Sequence, residues 1–179
     1  PKHCGARCDE CPLGPNGALQ KDEWRPVVGE FHPGAKILAL GEAPRAEDIM
    51  QGRPLMGSAA GEWARFLATA GLNRSHVDLD NVIACKPSGK EGGAWNRMEK
   101  SLDRLNKKRV SQGKDPLPHP IDCCRPRLDN VLGKYDKFIA LGKTATRVLS
   151  GQSGSIRSLR GGPMYIDDDW LWSLEPTSK

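Results

Sequence analysis

The 179-residue sequence predicts an α/β protein, a three-layer α/β/α sandwich around a central four-stranded, mainly parallel sheet. Two runs, Ile37-Leu-Ala-Leu-Gly41 and Phe138-Ile-Ala-Leu-Gly142, are continuously apolar and end in glycine, as strands buried on both faces do. Segments with helical spacing alternate with such runs, the pattern of a parallel sheet covered by helices. Gly (20) and Pro (14) are frequent, so turns are plentiful. The length suits one domain whose core needs no staples.

Each element has its own warrant. Residues 1–20 read as a Cys-rich loop closed by Pro12, Gly14, Pro15, Asn16 and Gly17. Ile37 to Gly41 is the first strand, and Glu42 to Asp48 a loop at its carboxyl end. Ser58 suits the N-cap of a helix with Trp63, Phe66, Leu67 and Ala70 on one face, ended by Gly71. Asn81-Val-Ile-Ala-Cys85 reads as the second strand. Asn96 to Val110 is a charged helix with a thin stripe of Met98, Leu102 and Leu105; residues 113–120 break the pattern, and Arg127 to Leu132 is helical. The third strand is Phe138 to Gly142, followed by a helix over Thr144 to Leu149 with Gly151 behind it. Trp170 to Leu174 completes the four strands. In such sheets ligands bind beyond the carboxyl ends of the strands. The Gly41–Asp48 loop, the residues after Cys85 and the loop after Gly142 should therefore share one crevice.

Charge and cysteine usage narrow the chemistry. The net charge is +5, and residues 86–127 alone hold eleven Lys/Arg against five Asp/Glu, a net of +6. That segment reads either as a solvated charged insertion or as a surface that tracks nucleic-acid phosphates. No apolar run reaches the roughly 20 residues of a membrane span, and no signal-peptide core opens the chain, so a cytoplasmic location without membrane association is expected. Six cysteines occur: Cys4, Cys8, Cys11, Cys85, Cys123 and Cys124. With no secretory context, metal or cluster ligation is favoured over disulfides, and Cys8-x-x-Cys11 sets two thiolates one short turn apart.

Five segments together resemble one family. Gly41-Glu-Ala-Pro44, Glu47-Asp48 and Gly52-Arg-Pro-Leu-Met-Gly57 follow the pattern GEAPG-x-x-ED-x-x-GRPFVG. Asn81-Val-Ile-Ala-Cys-Lys-Pro87 resembles NVVKCRPP, Cys124-Arg-Pro-Arg-Leu128 resembles C-x-P-x-L, and Ile139-Ala-Leu-Gly142 with Ala145 resembles IVALGxxA. Cys8-Asp-Glu-Cys11-Pro-Leu13 resembles an N-terminal CxxCPL. These are motifs of family 4, the iron–sulfur branch of the uracil-DNA glycosylase superfamily. Their order agrees from Cys8 to about Gly161.

The resemblance implies a structural [4Fe–4S] cluster on Cys8, Cys11, Cys85 and Cys124, since such clusters take four thiolates. A zinc pair at Cys8 and Cys11 is the competing reading, and Cys4 and Cys123 are surplus, with Cys123 able to exchange roles with Cys124. The resemblance further implies that the loop after the first strand serves the reaction. Glu42 supplies the acid, with Glu47 and Asp48 behind it, and Gly41, Ala43 and Pro44 line the uracil site. Asn81 reads the uracil edge, because an amide offers both a donor and an acceptor. Gly52, Gly57 and Gly61 suit tight turns. Arg45, Lys86, Lys143, Arg157 and Arg160 are candidate DNA-backbone contacts. The longer gap between Cys85 and Cys124 holds a basic insertion at about residues 89–118.

Three departures bear on activity. Arg45 replaces a glycine and either crowds the pocket or reaches a phosphate. Leu55 stands where the family has a stacking Phe; losing such a ring costs about 1–3 kcal/mol. The C-terminal PT-x-HPS motif is not found; if Pro176-Thr177 begins it, Lys179 holds the His position. Either the chain continues past Lys179, or excision is lost and binding kept. The resemblance implies an enzyme that hydrolyses the N-glycosidic bond of deoxyuridine in DNA, acting as a monomer or as one domain of a larger protein. A catalytically impaired iron–sulfur DNA-binding module of a repair or replication assembly, and an unrelated nucleic-acid or zinc-binding α/β protein, are the alternatives.

Overall fold

The computed structural model describes residues 5–89, 92–151, 163–166 and 169–174. In chain order the elements are β1 (Ile37–Gly41), α1 (Ala46–Gln51), α2 (Ala59–Thr69), a 3₁₀ turn (Arg74–His76), β2 (Val77–Asn81), α3 (Ala94–Ser111), α4 (Pro120–Leu132), β3 (Lys137–Leu141), α5 (Lys143–Ser150), β4 (Pro163–Ile166) and β5 (Asp169–Leu174). One sheet has the order β2-β1-β3-β5-β4. Its first four strands run parallel, and β4 pairs antiparallel with β5. The α/β class and the mainly parallel sheet are thus as expected. The fifth strand is not: β4 is a four-residue edge segment with too little length to register as an apolar run.

Alternation along β1 and β3 sorts the core into two layers. Leu38, Leu40, Phe138 and Ala140 face one side, where they meet Trp95 and Met98 of α3, Leu128 and Val131 of α4, and Ala145 and Leu149 of α5. Ala39 and Ile139 face the other, against Trp63 and Leu67 of α2 and Val77 and Leu79 of β2. Fully burying each of these Leu side chains stabilises the fold by about 1.5–3 kcal/mol.

Three local expectations are corrected. The second strand is Val77–Asn81, not Asn81–Cys85. Its acids Asp78 and Asp80 are buried with partners: Tyr135 donates to Asp78, and Arg127 Nη1 donates to Asp80 Oδ2 at 2.6 Å. The apolar run after Asn81 is buried by loops rather than by a ladder; Val82 N–H donates to Gly41 O at 2.8 Å and Val27 N–H to Ala84 O at 2.8 Å. The loop after β1 becomes helical at Ala46. Helix α4 starts at Pro120, well before Arg127, because His119 caps it through Nδ1 and proline suits the first helical position.

Pro126 lies inside α4 and has no N–H for the carbonyl of Asp122, four residues back. That carbonyl accepts instead from Arg7 Nη2 at 3.1 Å, while Arg7 N–H donates to Cys123 O at 2.9 Å. A proline in a helix thus anchors the N-terminal loop beside Cys123 and Cys124. Among the described residues no helix is long and apolar enough to cross a membrane.

Candidate active site

The carboxyl ends of β1, β2 and β3 open onto a cavity of about 360 Å³. Gly41, Asn81, Leu141 and Gly142 form its floor, the loop carrying Glu42, Ala43 and Arg45 one wall, and Leu55, Trp63 and Phe66 another. Of the expected site residues, Gly41, Glu42, Ala43, Arg45, Asp48, Leu55 and Asn81 are brought together here. Pro44 is buried behind the wall, and Glu47 is exposed, its carboxylate packed over Gly57. Cys85 and Lys86 do not share this crevice. They line a second cavity of about 350 Å³ with Asp22 and Trp24. The strand ends at Asn81, so the chain has turned away by residue 85. Lys86 is ion-paired there with Asp22 at 3.2 Å, whereas Arg45 and Lys143 are exposed. Arg157, Arg160 and Cys4, like residues 175–179 with Pro176, Thr177 and Lys179, lie outside the described residues.

Asn81 is 6% exposed, and its Nδ2 has no hydrogen-bond partner among the described residues. A buried amide N–H without an acceptor costs about 1–3 kcal/mol, which marks the group as one awaiting a ligand. Its backbone is held on both sides: its N–H donates to Asp80 Oδ1 at 2.7 Å, and its carbonyl accepts from Arg127 Nη2 at 2.6 Å.

Glu42 is half-buried, and burial raises its carboxyl above the usual glutamate range. Glu99 of α3 pushes the same way, while a hydrogen bond from Thr144 and the charge of Arg45 pull it down. Neither Thr144 nor Glu99 is signalled by the sequence, since both reach Glu42 through tertiary packing. Asp48 is 4% exposed, and both of its carboxylate oxygens are engaged. Its Oδ2 accepts from Arg45 N–H at 2.9 Å and its Oδ1 from Met56 N–H at 2.7 Å. Both oxygens therefore tie the two loops of the cavity together and cap α1.

Leu55 has φ +55°, in the left-handed region that a branched side chain rarely enters. Such strain costs of order 1–3 kcal/mol and needs a brace. Arg74 supplies it, forking onto Glu30 at 2.8 and 3.0 Å and donating to the carbonyls of Pro54 at 2.6 Å and Leu55 at 3.2 Å.

Four of the cysteines lie in the core, and Cys8 is half-buried. Cys11, Cys85, Cys123 and Cys124 belong to one buried cluster. The N-terminal loop closes through Cys11 N–H to Cys8 O at 3.3 Å and Gly14 N–H to Cys11 O at 2.8 Å. A Cβ at Gly14 would sit 1.9 Å from Cys8 O, so only glycine permits this wrap. Burial raises the Cys8, Cys11 and Cys85 thiols, that of Cys85 to about 12. Cys123 stands beside Cys11. Arg127, 2% exposed, lies against Cys124 as well as Asp80. Among the described residues no group of three or more His, Cys, Asp or Glu side chains is gathered as one metal ion requires.

Comparisons with known proteins place the chain among its relatives. The chain is 29% identical over 168 residues to the type-4 uracil-DNA glycosylase of Thermotoga maritima, covering 92% of this chain and 70% of that protein. It is 28% identical over 144 residues to the type-4 uracil-DNA glycosylase of Pyrobaculum aerophilum, covering 79% and 59% respectively. It is 32% identical over 87 residues to the corresponding protein of Archaeoglobus fulgidus, covering 49% of this chain and 44% of that one. The chain therefore spans well under the full length of these relatives. The model of the uracil DNA glycosylase superfamily matches residues 28–177, most of the sequence, and the chain belongs to that superfamily.

Proposed function

We propose that this chain is a uracil-DNA glycosylase that hydrolyses the N-glycosidic bond of deoxyuridine in DNA and leaves an abasic site. The observation that carries the reading is the buried, unpartnered Asn81 Nδ2 at the floor of a cavity whose wall holds Glu42. The base must leave the duplex to reach such a floor. Asn81 would donate to uracil O4 and accept from N3–H, which selects uracil over cytosine. As the bond between C1′ and N1 breaks, its electrons pass to the base, and an amide donor at the uracil oxygen stabilises that charge. Glu42, oriented by Thr144, would hold water at the opposite, electron-poor face of the sugar. Asp48 would position the loop, and Arg45 and Lys143 would meet the DNA backbone.

Cys8, Cys11, Cys85 and Cys124 would hold a [4Fe–4S] cluster, which takes four thiolates; Cys11, Cys85 and Cys124 are buried in the core and Cys8 is half-buried. When bound, the cluster would supply a structural cross-link between the N-terminal loop, the segment after β2, and α4.

The test is single-turnover release of uracil from oligonucleotides carrying one deoxyuridine, single- and double-stranded. Asn81→Ala should abolish base selection and leave affinity for uracil-free DNA nearly intact. No abasic product with uracil binding retained would overturn the enzyme and leave the binding module.

A further inference from the structure

The cavity contains a ring that the sequence pattern assigns to the core. Phe66, on the same helix as the buried Trp63 and Leu67, is 40% exposed and lines the cavity with Asn81. Its ring stacks on Trp63, with centroids 5.5 Å apart and planes inclined by 23°. Trp63 is fixed between Leu67 and the sheet. One face of Phe66 is therefore backed by a buried ring, and the other has no stacking partner among the described residues. Trp63 and Phe66 are the aromatic side chains among the described residues that line this cavity; Leu55 offers only aliphatic contact. An extruded base presents two π-faces, and stacking is the main compensation for the neighbours it loses.

We infer that Phe66, backed by Trp63, is the platform on which the extruded uracil stacks, with Asn81 reading its edge. Resting on the glycosylase reading, this adds a base-binding residue to it. The backed pair is preorganised, so little ordering is needed when the base arrives.

The test uses the full chain and an oligonucleotide with one 2′-fluorinated deoxyuridine, whose glycosidic bond resists cleavage, against a matched thymidine strand. Phe66→Ala and Phe66→Leu should each weaken binding of the uracil strand by about 5- to 100-fold. Binding of the thymidine strand should not change, and Phe66→Tyr should restore wild-type preference. Unchanged uracil affinity in Phe66→Leu, with wild-type protein preferring uracil, overturns the platform alone. A wild-type protein without preference overturns the base-reading cavity and the platform together, so the two failures are distinguishable.

Discussion

Gly41 and Asn81 are register partners on β1 and β2, and Asn81 Oδ1 lies 2.4 Å from the position a Cβ on Gly41 would take. The Asn81 amide thus occupies space that only a glycine leaves open. Gly41→Ala should displace Asn81 from the cavity floor and lower the rate of uracil release by about 10²–10³, the usual cost of losing one such donor. Overpacking should cost a further 1–3 kcal/mol or so of stability in urea unfolding. In a double-mutant cycle, Gly41→Ala should add little to the rate loss of Asn81→Ala, because both remove the same contact. Full additivity would mean that the glycine acts elsewhere.

The proposed role of Glu42 makes the reaction depend on pH. Burial raises its folded-state pKa above the unfolded value. The folded state therefore binds the proton more tightly, and this stabilisation is complete below the ordinary glutamate range and lost as pH rises through the raised value. Glu42→Gln should accordingly be more stable than wild type at neutral pH, with the gap closing as pH falls. The same variant should lose about 10²–10⁴ in rate if the carboxylate handles water. The acidic limb of kcat/KM should lie above the ordinary carboxylate range, and Thr144→Val should move it higher, since Thr144 favours the ionised form. A limb in the ordinary range would remove Glu42 from that role.

How far the sequence discloses this site depends on which forces act locally. β1 and β3 are legible because strands buried on both faces must be apolar throughout. β2 is not, because Asp78 and Asp80 interrupt it and are tolerated only through Tyr135, His32 and Arg127, partners about 46–57 residues away or on another loop. Val82 to Cys85 mimics a strand since deep loops need apolar side chains too. The motif residues Glu42 and Asn81 are found from their neighbours in sequence, but Thr144, Glu99, Arg74 and Phe66 enter through packing alone. Phe66 misleads for a definite reason: helical spacing places it beside Trp63 and Leu67, and periodicity does not distinguish a core face from a cavity wall.

Asp48 separates clamping from catalysis. Both of its oxygens accept backbone N–H groups, so Asp48→Asn keeps one acceptor and turns an amide donor toward the other N–H. Losing one charge-assisted bond in this way should cost about 1.5–3 kcal/mol of stability, read by thermal or urea unfolding. The residual activity should keep the wild-type pH profile. A shifted acidic limb would show that Asp48, rather than Glu42, titrates in the reaction.

The basic insertion has a geometry that makes its role measurable. Helix α3 buries Trp95, Met98 and Leu102, which turns Lys100, Arg104, Lys107 and Lys108 to solvent. On that face Asp103 is an acid, and it is paired with Lys107 at 2.8 Å, leaving Lys100, Arg104 and Lys108 to dominate the field. Glu99, on the flank of the same helix, raises the Glu42 carboxyl by its charge. Replacing Lys100, Arg104 and Lys108 together by Gln should weaken DNA binding. It should also reduce the slope of log K against log salt by about 0.9 per lost phosphate contact on duplex, or about 0.7 on single strands. Preference for uracil over thymine should stay unchanged, because phosphates position and base edges specify. An unaltered slope would make the helix a solvated face with no part in holding DNA.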